Sequence, residues 1–174
     1  GAGMAQGGTL VILNNDLIPQ NDLAGLLADD QRIIGPKLLW PNGLVQSYGI
    51  GLDVNCNPYP LYDLMPAGAA EVSRECSALA VSFAAVSIPA AVFHRLGGLD
   101  VGLVNAYDDL DFCLRAREIG VPVALRPAPV VHLGAQTQGR HDHDAEAWQA
   151  FAAKWVATGR IYKATGVYPF GQGV

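Results

Sequence analysis

Charge is scarce in this sequence. Only 16% of its 174 residues are Asp, Glu, Lys or Arg, and nowhere do basic side chains gather into a patch. With a formal net charge of −5, nucleic acid and anionic membrane surfaces are poor partners on electrostatic grounds. Cysteine is scarce too. Cys56, Cys76 and Cys113 are an odd number and show no CxxC spacing. That argues against a disulfide framework or a zinc site, and it predicts a reducing, cytoplasmic setting. Long apolar runs are missing as well. The longest uncharged stretch, which includes residues 77–93, contains Pro89 and falls short of the ~20 residues that span a bilayer. No basic region leads into an apolar stretch at the N-terminus, so no secretory signal is read there. Repeats and low-complexity segments are also lacking.

What remains is apolar enough to build a core. Hydrophobic residues make up 51% of the chain, which argues against disorder. The length predicts one domain over residues 9–174. Residues 1–8 read as a tail, with Gly1-Ala2-Gly3 before Met4 as a tag scar.

Strands and helices alternate along the chain, which predicts an α/β layer fold. Thr9–Leu13 reads as a buried strand ending at Asn14-Asn15-Asp16, and Leu23, Leu26 and Leu27 follow helical spacing. Residues 33–40 and 44–50 flank Pro41-Asn42-Gly43, a hairpin signal. Residues 53–70 read as a long surface loop, and 79–88 as a buried strand with Pro89 opening a helix. Residues 108–119 predict a helix closed by Gly120. Two short strands, 121–125 and 130–132, follow around prolines, and Trp148, Phe151, Ala152 and Trp155 mark a last amphipathic helix.

Three clusters could carry chemistry. Asn14-Asn15-Asp16 closes a strand, where open α/β sheets place ligands. Asp16 could offer a carboxylate to Mg²⁺ or Mn²⁺, with Asn14 or Asn15 on a ribose or phosphate, although such a turn is also an ordinary exit from a strand. Asp108, Asp109 and Asp111 crowd one helix N-terminus. Capping and pairing with Arg115 and Arg117 explain part of this, but capping needs one acid, and a carboxylate there could take a proton from a hydroxyl. At i and i+3, Asp108 and Asp111 are expected to share a face, with Asp109 elsewhere. The third candidate is His132. A lone histidine is commonly structural, yet Arg140 follows in a loop from which it could reach a phosphate. The run His141-Asp142-His143-Asp144 reads as a solvated loop ending in a helix cap.

The order of these elements resembles the family-2 glycosyltransferases of GT-A fold. Residues 10–16 resemble that family's strand and acidic motif, and residues 34–43 look like its "GPKLLYPDG" segment. Leu96-Gly97-Gly98-Leu99-Asp100 is similar to "LGGFD", residues 107–117 to "YEDVDLCLRAR", and Pro129-Val130-Val131-His132 to the closing histidine. Each motif alone is weak, and five in the family's order are strong. The resemblance implies a partial, truncated Rossmann-like mixed sheet with flanking helices and a β-hairpin. It also implies inverting transfer from a nucleotide-diphosphate sugar to a hydroxyl acceptor, with Mn²⁺ or Mg²⁺ as cofactor. Asp16 and His132 then correspond to metal ligands and Asp109 to the general base. Asn14, Asn15, Asp108 and Arg140 are left for substrate. A base of pKa near 4 would still serve, because the hydroxyl acidifies only as the anomeric bond forms.

The departures from the family shape the expectations. Asp108 replaces the usual Glu, and Phe83 stands where Gly is usual, in space meant for the sugar. No Gln-x-x-Arg-Trp follows the histidine, which disfavours a processive synthase. Only about ten residues precede the acidic motif, where the family has a nucleotide-cradling half. The expectation is therefore a fragment, a chain complemented by that half, or a catalytically inactive module that self-associates through an exposed sheet as a binding or scaffold protein. A metal-dependent phosphohydrolase would need a denser set of carboxylates and histidines.

Overall fold

Seven consecutive residues, Ile33–Leu39, lack the apolar–polar alternation of a half-exposed strand. That is the pattern of a strand covered on both faces. All seven are buried at the centre of the sheet in the computed structural model, which describes residues 2–103, 106–134 and 144–166. The strands are β1 (Thr9–Leu13), β2 (Leu17–Pro19), β3 (Ile33–Leu39), β4 (Val45–Ser47) and β5 (Ile50–Leu52). They continue as β6 (Pro58–Pro60), β7 (Cys76–Ser77), β8 (Ala85–Pro89) and β9 (Val123–His132). The helices are α1 (Leu23–Leu27), α2 (Ala90–Arg95), α3 (Asp108–Glu118), α4 (Asp144–Phe151) and α5 (Arg160–Thr165).

The sheet is mixed, with the order β1-β8-β3-β9-β2 and with β4 on β3 and β7 on β9. β3 and β9 run parallel, while β8 is antiparallel to both β1 and β3. Successive side chains of β3 serve opposite cores. Ile33 and Leu39 join the larger cluster with Phe112, Leu114, Phe151 and Trp155, while Ile34 and Leu38 pack with Leu23 and Leu27 of α1. Fully burying one such side chain is worth about 1.5–3 kcal/mol, so both faces contribute to holding the strand.

Gly35 marks the tightest point of this packing. A Cβ there would lie 2.6 Å from Cβ of Val81. The Gly35→Ala variant is therefore expected to lose about 1–3 kcal/mol of stability, read as a lower urea midpoint with an unchanged m-value.

Several expected elements are corrected by the structure. The strand expected over 79–88 begins only at Ala85. Before it, Ala80 makes an isolated bridge to Ile50, and Ser82 Oγ accepts the Ala84 amide at 3.3 Å, a local turn that competes with the ladder. The two short strands around the prolines are one ten-residue strand, β9. Its pairing with β3 shifts register between Gly35 and Lys37, and such an irregularity accommodates Pro127 and Pro129. The loop expected over 53–70 contains β6, paired with β5. Lys37 fastens this region to the sheet: its buried ammonium donates to the carbonyls of Ala67 (2.7 Å) and Val72 (3.1 Å). The last helix is interrupted by a π-helical turn, Ala152–Val156, before α5. Among the described residues, no helix is long and apolar enough to cross a membrane.

Candidate active site

Asp16 and His132, far apart along the chain, are joined by a three-residue strand. β2 pairs antiparallel with the end of β9, with Leu17 opposite His132, and the Leu133 amide donates to the Asp16 carbonyl at 3.0 Å. This brings Asp16 Oδ1 within 3.3 Å of His132 Nε2. On the other side of the ring, His132 Nδ1 lies 2.6 Å from Gln46 Oε1. An amide oxygen can only accept, so Nδ1 carries the proton and Nε2 is the ring's acceptor nitrogen in the neutral imidazole. Asp16 Oδ1 is buried without a hydrogen-bond partner among the described residues.

A carboxylate oxygen beside an imidazole nitrogen, with the ring oriented by a hydrogen bond at its far nitrogen, suits a divalent cation. Among the described residues, no group of three or more His, Cys, Asp or Glu is placed to hold a metal. Two ligands fall short of a closed structural site; the pair could supply part of the shell of an oxygen-preferring ion that keeps waters.

Asp109 approaches from α3. The helix starts behind Tyr107, which adopts φ +65° and whose carbonyl accepts the Asp111 amide at 2.8 Å. Asp109 keeps some surface, but its carboxyl group lies deep. Burial, reinforced by the neighbouring charge of Asp108, pushes its pKa up to about 6, although the amides of Leu110 and Phe83 oppose the shift. That is well above the value near 4 expected from the sequence. The expected division of faces is also corrected. Asp108 and Asp109 line the same cavity, whereas Asp111 is fully buried and accepts from Trp155 Nε1 (2.7 Å) and Arg115 Nε (2.7 Å). The third acid of the cluster is structural.

The cavity holds about 780 Å³. Asn14, Asp108, Asp109 and His132 line it together, and Asp16 stands behind His132. Asn15 is exposed and lies outside the lining. Arg140 and the His141–His143 run lie outside the described residues. Phe83 borders the cavity while packing edge-on to Phe112, 5.6 Å between centroids, so it narrows the space without closing it. Sequence reasoning missed Gln46, Trp40, Tyr59, Tyr107 and Asp144, all of which reach this cavity. Trp40 and Tyr59 carried a usable signal, each being an aromatic beside a proline in a turn-rich stretch. Nothing around Gln46 distinguishes it from any polar strand residue.

No family model matches the sequence, and no curated protein matches it. Among solved structures, the chain is similar to a crystal structure of GalNAc-T7 with UDP, GalNAc and Mn²⁺, at a TM-score of 0.60 and 16% identity. The fold is GT-A-like. The similarity covers 75% of this chain and 28% of that one, so the chain corresponds to under a third of that neighbour's length. At this identity the likeness is one of fold. Within the GT-A-like sheet, the cavity sits where β3 and β9, running parallel, end at Trp40 and His132. Ligands of open α/β sheets gather at such carboxyl ends.

Proposed function

We propose that this cavity transfers a sugar, with inversion, from a nucleotide-diphosphate sugar to a hydroxyl acceptor, as family-2 glycosyltransferases do. The observation that carries the reading is that an elevated-pKa carboxylate, Asp109, shares one cavity with His132, behind which Asp16 is paired. Asp109 takes the acceptor hydroxyl proton as the oxygen bonds to the anomeric carbon and the bond from that carbon to the diphosphate breaks. A carboxylate with pKa near 6 is a better base than an ordinary aspartate while still ionised at neutral pH. Asp16 and His132 would hold Mn²⁺ or Mg²⁺, which supplies charge neutralisation on the departing diphosphate. Asn14 contributes an amide to the donor side of the cavity, and Asp108 orients acceptor hydroxyls.

The test is release of nucleoside diphosphate from a panel of nucleotide sugars with added Mn²⁺ and a hydroxyl acceptor. Turnover is expected to require the metal, and Asp16→Ala or His132→Ala should raise the Mn²⁺ concentration for half-maximal rate by about 10–100-fold. Absence of turnover with every donor, both for the chain alone and with a complementing nucleotide-binding half supplied, removes the catalytic reading.

One observation favours a second reading, a self-associating module without turnover. Among the described residues β1 is an edge strand paired only with β8, and Leu13 at its end is 46% exposed. A well-behaved monomer in sedimentation would remove that reading.

A further inference from the structure

Two aromatic rings on the cavity wall, Trp40 and Tyr59, each lie against a glycine. Trp40 is fixed at its polar end, where Nε1 donates to Asp63 Oδ1 at 2.9 Å. Its ring is backed by Gly134, where an added Cβ would lie 3.3 Å from Cζ3 and where φ is +65°. Tyr59 is 46% exposed, yet its ring lies across Gly51 of the adjoining strand β5, so closely that an added Cβ would come within 2.8 Å of Cζ. Each ring thus rests on a glycine. Both border the same cavity as Asp108, Asp109 and Asp144.

This combination selects a chemistry. Fixed aromatic faces attract the C–H face of a pyranose, and carboxylates accept from its hydroxyl edge. Fixing the rings beforehand removes the entropy that binding would otherwise lose. Three carboxylates in the wall disfavour an anionic acceptor, and among the described residues no Lys or Arg lines the cavity to offset them. A nucleobase would also stack on aromatic rings, but its attached diphosphate would have to sit among those carboxylates, and a base such as Asp109 belongs on the acceptor's side.

We propose that the acceptor is a neutral saccharide whose sugar rings stack on Trp40 and Tyr59 of the cavity wall, with its hydroxyls turned to Asp108, Asp109 and Asp144. The word acceptor rests on the glycosyl-transfer reading above; the binding of a neutral saccharide does not. The experiment is saturation-transfer NMR and tryptophan fluorescence on the whole chain, without nucleotide. The probes are trisaccharides of glucose, mannose, rhamnose and N-acetylglucosamine, with a glucuronic-acid oligosaccharide, uridine and UDP as contrasts. At least one neutral trisaccharide is expected to bind, with transfer to its ring C–H protons. Trp40→Ala and Tyr59→Ala should each weaken that binding about tenfold or more. Gly51→Ala, which displaces the Tyr59 ring while keeping the tyrosine, should weaken it several-fold, and circular dichroism checks that each variant is folded. Tyr62→Ala, at an exposed tyrosine outside the cavity, should leave binding unchanged.

Binding of the uronic-acid probe or of uridine and UDP in preference to every neutral saccharide overturns the inference. So does saccharide binding that survives loss of both rings, or no saccharide binding at all. Transfer to a non-sugar hydroxyl that is indifferent to Trp40→Ala refutes this inference and leaves glycosyl transfer standing. Saccharide binding without turnover does the reverse.

Discussion

Replacing Asp109 with asparagine is expected to end transfer and, at the same time, to stabilise the fold. The loss of activity follows from removing the proton acceptor, an effect of about 10²–10⁴-fold on kcat with little change in KM for the donor. The gain in stability follows from linkage. Folding raises this carboxyl group from its ordinary 3.8 to about 6. Between those values the folded chain holds a proton that the unfolded chain has released, so stability falls as pH rises through the window. Above pH 6 the whole penalty is present, and below 3.8 it vanishes. Asparagine never carries the charge, so at neutral pH the variant should be more stable by on the order of 3 kcal/mol. The difference between the two proteins should shrink as pH falls from 6 to 4, which thermal melts across that range would show. Wild-type activity should decline on the acid side with a midpoint near pH 6. Equal stability of the two proteins at every pH would mean that Asp109 is better solvated than its surroundings imply.

The second large effect is expected at Asp111. It lies at 0% exposure, and Arg115 Nε, Trp155 Nε1 and Lys154 Nζ each stand 2.7 Å from its oxygens. Arg115 also donates to the carbonyls of Leu96 (2.8 Å) and Gly98 (3.0 Å), and Lys154 reaches Asp100 Oδ2 at 2.6 Å. One carboxylate therefore ties α3 to the end of α2 and to the turn after α4. Asp111→Ala would leave two cations facing a vacated site, a loss of about 3–5 kcal/mol in a fold whose total stability is about 5–15 kcal/mol. Asp111→Asn, which keeps an acceptor for Trp155, should fall between this variant and the wild type. By contrast, breaking the exposed Arg160–Glu118 pair (2.6 Å) should cost less than about 1 kcal/mol. Urea denaturation of the three variants gives the order directly.

The contrast between Asp109 and Asp111 shows where sequence reading succeeds and where it fails. Period and punctuation were enough for β1, α1, α3 and the β3–β4 hairpin, because local preference and burial agree there. β9 was split in two because Pro127 and Pro129 look like breaks, and only the register shift opposite Gly35 and Lys37 shows how one strand accommodates both. The acids of α3 were counted correctly as an excess over capping, but spacing assigned them to the wrong faces. Helical geometry says which residues are neighbours, whereas the approach of Lys154 and the buried Trp155 to Asp111 is a property of the tertiary fold. Asp16 and His132 were grouped by motif resemblance alone. Their contact depends on β2, whose three residues carry no periodic signal. Trp40 and Tyr59 were passed over because the glycines that back them become neighbours only after folding.

The hinge of that arrangement is β2. Without its pairing to β9, the carboxylate at 16 and the imidazole at 132 have no reason to meet, since about two thirds of the polypeptide lies between them. The proposed cation site thus forms only once this long-range closure is made, an event whose entropic cost is met by folding before any ion arrives. A cation held by the proposed Asp16–His132 pair would act as a clasp on the finished topology, because a ligand that binds only the folded chain stabilises it by mass action.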